Sequence, residues 1–171
     1  PNTKIIAVIK ANGYGAGLIE SGHLCEKLGI DALAVLDIPQ GITLRKAGIQ
    51  LPIILLGSSP VENHAYLVEY DLTQGIFSYE HAQSLNTYAL EHDVQIKGHV
   101  KFDSGLNRLG LKNYEEIDKV MTMPGLKITG IYTHFASAQS YDEEELDFSN
   151  QQVKRFKNLL HHLDEKGYDY G

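Results

Sequence analysis

Residues 95–103 read QIKGHVKFD, and the alternation in this stretch separates a barrel from an open sheet. Strand geometry sends Ile96, Gly98, Val100 and Phe102 to one face and Lys97, His99, Lys101 and Asp103 to the other. A parallel strand covered by helices is apolar on both faces, so a polar face signals an interior that opens to solvent. The mouth of a β/α barrel is such a place, and barrel enzymes gather their functional residues at the C-terminal ends of the strands.

Five further apolar runs rich in Ile, Val and Leu read as strands: KIIAVI (4–9), ALAVL (32–36), PIILLG (52–57), LTQGIF (72–77) and KITGIYTH (127–134). Helical patterns separate them and end legibly, at Gly29 after HLCEKL, at Gly48 after ITLRKA, and at Gly167. The last of these helices places Val153, Phe156, Leu160 and Leu163 on one apolar face, and Asn113 with Glu116 resembles a capping box. Strand and helix thus alternate six times, which argues a parallel sheet covered by helices. The expected fold class is α/β, a partial (β/α)8 TIM barrel of about six of the eight strand-helix units. A complete barrel runs to roughly 250 residues and rarely falls below about 200, whereas this chain has 171. It is therefore expected to be the N-terminal part of a barrel domain, unstable and inactive on its own.

The composition bounds the function. One domain's worth of chain is 43% hydrophobic and carries Lys+Arg 15 against Asp+Glu 22, a net charge of -7. No basic cluster interrupts that balance, which argues against nucleic acid or an anionic membrane and for a small-molecule partner. The single cysteine, Cys25, excludes an internal disulfide framework, and no apolar run is long enough to span a bilayer, so a cytoplasmic protein is expected. No Cys/His/Asp cluster has ligand spacing, so no metal site is expected. His161 and His162, adjacent on a helix, are expected on a solvated face.

Three strand ends carry the chemistry: Lys10, the segment Lys101–Asp103, and His134. An amine closing a buried strand meets low-dielectric surroundings, and a neutral amine is a nucleophile toward aldehydes, the requirement for a Schiff base. Gly13, Gly15 and Gly17 let the backbone turn sharply toward an anion, and Tyr14 offers a hydroxyl. An aldehyde that carries a phosphate is pyridoxal 5'-phosphate.

These residues resemble a known family. AVIKANGYGAG (7–17) is similar to the cofactor-lysine motif of alanine racemases, VKFDSGLNRLG (100–110) to their arginine-bearing segment, and KITGIYTHFASA (127–138) to a third motif in the same order. LRKAGIQLPIILLG (44–57) extends the likeness, so that it covers essentially all of the chain. The resemblance implies a pyridoxal-phosphate-dependent racemase of a small amino acid, alanine first and serine second, working by Cα proton abstraction and opposite-face reprotonation. It also implies a β-rich domain after the barrel, a homodimer, and D-alanine for peptidoglycan precursors as the product.

Carried over by residue, Lys10 would hold the cofactor and act as one acid/base group, with Arg108 beside the cofactor's phenolic oxygen and the substrate carboxylate. Tyr14 would contact the phosphate, and His134, Val8 and Leu56 would line the cofactor pocket. Lys101 matches a position that can be carbamylated and then bind Arg108. The family's opposite-face base, a tyrosine, and its further phosphate ligands belong to parts beyond Gly171. Gly13 and Ala16 stand where alanine or histidine is usual, and Gln139 where aspartate commonly follows THFASA.

Other roles fit the same residues. Arg108 suits a surface salt bridge, Lys101 an inward ion pair with Asp103, and His134 a satisfied core histidine. A related barrel decarboxylase of basic amino acids shares a similar lysine segment, although the Tyr14 turn and DSGLNRLG favour the racemase. A non-enzymatic cofactor-carrying module of the same superfamily is a third reading.

Overall fold

A computed structural model describes residues 3–171, and all six expected strands are present in it. In chain order the elements are β1 (Ile6–Val8), α1 (Lys10–Tyr14), α2 (Leu18–Lys27), β2 (Ala32–Val35), α3 (Ile38–Lys46), β3 (Ile53–Leu55) and α4 (His64–Glu69). They continue with β4 (Leu72–Ile76), α5 (Tyr79–Glu91), β5 (Ile96–Lys101), α6 (Tyr114–Met121), β6 (Leu126–Tyr132) and α7 (Glu143–Glu165). The strands form one sheet in sequence order, every pair parallel. Each crossover between neighbours carries a helix, as parallel pairing requires.

One face of the sheet does most of the burial. Leu33, Val35, Ile53, Leu55, Leu72, Ile76, Ile96 and Val100 pack with Leu44, Leu67, Leu85, Ile117, Leu159 and Leu163 of the helices in one core. A fully buried side chain of this kind contributes about 1.5–3 kcal/mol relative to exposure. The alternate residues Ala32, Ala34 and Ile54, with Leu56, form a separate small cluster. Helices on one face and a strand-only cluster on the other describe part of a barrel wall, not a doubly wound sheet.

The local signals are met with two exceptions. Gly29, Gly48 and Gly167 adopt φ of 71°, 89° and 72° at the ends of their helices, a conformation that only glycine takes without strain. Asp37, Ser78, Asn113 and Asp142 cap α3, α5, α6 and α7 through their side chains. The Asn113 cap accepts from the backbone of Glu115, however, and not from that of Glu116, as a capping box would have it. The face that α7 buries is also rotated from the expected one. Gln152, Leu159 and Leu163 are fully buried, while Val153, Phe156 and Leu160 are only half-buried.

His161 stays exposed beside Glu165, but His162 turns inward, half-buried, with Nε2 2.9 Å from Asp118 Oδ1 and its ring against Tyr114. In β6, Thr129 is an extra residue between the Gly98↔Ile128 and His99↔Gly130 pairs, a bulge that re-aims the strand end carrying His134. No helix among the described residues is long and apolar enough to cross a membrane.

Candidate functional site

The site begins where β1 ends. Ile9 still pairs with β2, its N–H donating to Ala34 O at 2.9 Å, and half-buried Lys10 follows it. The backbone then reverses hand: Ala11, Asn12, Gly13 and Tyr14 have φ of 52°, 55°, 62° and 53°. This is one turn of left-handed helix, which costs a non-glycine residue about 1–2 kcal/mol. Asn12 holds the turn in place. Its carbonyl accepts from Gly15 N at 3.0 Å and Gly17 N at 2.9 Å, while its side-chain Oδ1 accepts from Leu18 N, the first residue of α2, at 2.9 Å. Strain of this kind persists only where the surroundings over-determine it, and it concentrates at functional sites.

The second contribution comes from the end of β5. Lys101 is 7% exposed, with Nζ 5.9 Å from the centre of the Phe77 ring, and it forms no ion pair among the described residues. Burial, reinforced by the charge of Arg108 and opposed by Asp103, lowers its pKa. The expected alternative of a Lys101–Asp103 pair is not what the fold builds. Asp103 Oδ1 accepts from Gly105 N and Asn107 N at 3.0 Å each, and Oδ2 lies 3.5 Å from Lys112 Nζ. Asp103 therefore shapes the loop that leads to Arg108 and is not a counter-ion for the mouth. Arg108 itself is exposed and makes no salt bridge among the described residues, contrary to the surface-pair alternative.

The third contribution is His134, just beyond β6, exposed where a core histidine would be buried. Partial burial, with the charges of Arg108, Lys101 and Lys10, holds its imidazole below its ordinary range.

These groups meet in two adjoining cavities. One, of about 300 Å3, has an apolar wall that includes Val8, Ala34, Ile54 and Leu56 and a polar end formed by Lys10, Tyr14 and His134. The other, of about 250 Å3, brings Lys10, Lys101, Arg108 and His134 together with Leu36, Leu56 and Leu109. Lys10, Tyr14, Lys101, Arg108, His134, Val8 and Leu56 thus reach one mouth, which is rich in cations and has an apolar wall. Such a site suits a flat, partly apolar ligand with anionic groups, and its lysine amines are suited to carbonyl chemistry.

Tyr132, which lines both cavities, was missed in the sequence. Its hydroxyl is buried without a partner among the described residues, and burial raises its pKa. The signal was available, because Tyr132 lies two residues before His134 and so shares its face. Asn12 was missed for want of any local pattern that marks a left-handed turn.

The comparisons with known proteins agree with this geometry. A sequence model of the family described as "Alanine racemase, N-terminal domain" matches residues 1–170. The chain is 36% identical to an alanine racemase of Methanococcus maripaludis, an alignment that covers 99% of this chain and 46% of that protein. It is likewise 36% identical to a serine/alanine racemase of Enterococcus gallinarum, over 100% of this chain and 24% of that protein. Among solved structures, an alanine racemase of Clostridium difficile superposes with a TM-score of 0.92 at 34% identity, covering 100% of this chain and 48% of that one. The chain therefore spans less than half the length of these relatives.

Proposed function

The chain belongs to the alanine racemase N-terminal domain family, and on that premise we propose that it forms the larger part of the cofactor-binding barrel of a longer racemase. Its substrate is a small amino acid, alanine before serine, and its cofactor is pyridoxal 5'-phosphate. The observation that carries the reading is the convergence of Lys10, Lys101, Arg108 and His134 on one mouth with an apolar wall. Its cations are free to meet phosphate, phenolate and carboxylate, because Asp103 is committed to its own loop. The donor set fits the group: an amine for its aldehyde, Tyr14 lining the same cavity, and an apolar wall for its ring.

When bound, that cofactor supplies an electron sink that stabilises negative charge at the amino-acid Cα. Lys10 Nζ anchors it and takes or returns the Cα proton from one side. Arg108 orients the substrate carboxylate and keeps a positive charge at the mouth. Val8, Ala34, Ile54 and Leu56 keep water from one side of the site. The group acting on the opposite face of Cα comes from outside this segment, in keeping with the exposed apolar side chains Leu36, Leu109 and Phe135 at the mouth, a surface that a further domain and a partner subunit would cover. Lys101 is a candidate for carbamylation: its neutral amine adds to carbon dioxide, a N–C bond forms, a proton leaves, and the resulting anion accepts hydrogen bonds from Arg108. Its burial and lowered pKa support that reaction.

The test is to incubate the full-length protein with cofactor and L-alanine or L-serine in D2O. Racemisation with deuterium at Cα is expected, and Lys10→Ala should abolish both it and the lysine-bound cofactor recovered after borohydride reduction. Carbon dioxide release from L-lysine, L-ornithine or L-arginine in a parallel incubation, without racemisation, would indicate a decarboxylase, and cofactor binding without either reaction would indicate a carrier. Reduced cofactor on any lysine other than Lys10 would overturn the assignment.

A further inference from the structure

Gln152 is a polar side chain in the middle of α7, and it is fully buried. A buried amide is costly unless it is satisfied, so its partners show what it is for. Its Nε2 donates to His134 O at 3.1 Å and to Ser104 Oγ at 3.1 Å, and its Oε1 accepts from Ala136 N at 3.0 Å. One amide thus brackets residues 134–136 from both sides, much as a neighbouring strand would, just beyond the point where β6 ends. Through Ser104 it also grips the loop after β5, four residues before Arg108.

The same junction is reinforced twice. Ser104 Oγ lies 2.7 Å from Thr133 Oγ1, next to His134. Arg155, one turn along α7, donates from Nη1 to Ser104 O at 2.9 Å. Gly105 lies so close to α7 that a Cβ there would come within 2.7 Å of Arg155 Nη1, and its φ is +142°. The ends of β5 and β6 are therefore held to each other through α7.

We infer that Gln152 is a positioning residue, whose buried amide fixes His134 and the loop bearing Arg108 in one relative arrangement. Its effect on turnover rests on reading the mouth as the cofactor and substrate site; the clamp itself does not. Gln152 touches no side chain that lines that mouth and acts through the backbone of His134 and Ala136 and through Ser104.

The experiment compares Gln152→Met, which keeps the volume and removes all three bonds, with His162→Gln. The latter disturbs another contact of α7, to Asp118, remote from the mouth. Both variants are made in the full-length protein. Hydrogen exchange followed by mass spectrometry, with no ligand present, should show residues 104–110 and 133–138 exchanging at least tenfold faster in Gln152→Met and unchanged in His162→Gln. With cofactor and L-alanine, Gln152→Met should lose tenfold or more in kcat and bind cofactor several-fold more weakly, while His162→Gln keeps both within twofold. Ser104→Ala, which removes one of the three partners, should give a smaller loss in the same direction.

If exchange in both segments is unchanged in Gln152→Met, the inference is wrong. It is equally wrong if exchange rises but kcat and cofactor affinity match those of His162→Gln. If the unmodified protein neither binds the cofactor nor racemises, the proposed function fails, and the exchange comparison still decides whether Gln152 holds the two segments.

Discussion

Replacing Asn12 separates two contributions that the left-handed turn combines. Asn12→Ala removes the Oδ1 acceptor from Leu18 N at 2.9 Å and leaves the first turn of α2 without its cap. Losing a cap costs about 1 kcal/mol, within a range of roughly 0.5–2. Alanine must also hold φ near 55°, where its Cβ crowds the following carbonyl oxygen at a cost of about 1–2 kcal/mol. Asparagine is more tolerant of this region, so part of that cost is new, and the total is about 2 kcal/mol.

Asn12→Gly loses the same cap but adopts this φ freely, and its greater freedom when unfolded offsets about 0.4–1 kcal/mol of the relief. Glycine should therefore be the milder substitution, by on the order of 1 kcal/mol. Urea unfolding of the full-length protein measures the difference, and a cofactor titration should rank the variants in the same order, since Lys10 immediately precedes the turn and Tyr14 ends it. Equal stabilities for the two variants, or a less stable glycine variant, would refute the account of strain held in place by a cap.

Other expectations follow from single groups. Both ring nitrogens of His81 are buried without partners among the described residues, and burial together with nearby His64 pushes its pKa down to about 4. The folded state therefore binds this proton more weakly than the unfolded chain, so stability should fall as pH drops from about 6.5 toward 4. His81→Phe, which can keep the stack on Phe77, should show a shallower fall, and an identical pH slope would count against the argument. Tyr132→Phe removes a hydroxyl that is buried without a partner and should leave the ligand-free protein as stable or about 1 kcal/mol more so; a clear drop in its urea midpoint would mean that the hydroxyl is bonded. Arg108→Lys keeps the charge but loses the planar fork. It should cost turnover tenfold or more, each tenfold being about 1.4 kcal/mol of barrier, and unchanged kcat would remove Arg108 from the reaction.

What could be read from the sequence, and what could not, divides by range. The strand ends at Lys10, Lys101 and His134 were legible because period-two alternation and a lone polar residue closing an apolar run are local signals. The helix stops were legible because a positive φ at a helix end selects glycine. The burial of α7 was misjudged for a reason that hydropathy cannot supply. Gln152 belongs to the buried face only because three partners from the β5 and β6 ends satisfy its amide, and a pattern that counts glutamine as solvent-facing rotates the helix away from it. Asp103 failed in the same way. Alternation placed it beside Lys101, but its carboxylate is drawn to the backbone of Gly105 and Asn107, a turn whose geometry appears only once the loop closes.

That diversion of Asp103 bears on the chemistry of the mouth. Had its carboxylate paired with Lys101, burial would have been offset by an internal ion pair, and the lysine would be held protonated. With Asp103 bonded to its own loop, Lys101 forms no ion pair among the described residues, and burial and the charge of Arg108 outweigh the pull of Asp103 and lower its pKa. Burial, with the charges of Arg108, Lys101 and Lys10, pushes His134 the same way. Like charges gathered at one strand-end rim repel one another, so an anionic group held among them would lower the free energy of the site. The loop from Ser104 to Gly110 thus has two linked effects: it places Arg108 at the mouth, and it engages the Asp103 carboxylate in its own backbone, so that Asp103 does not pair with Lys101.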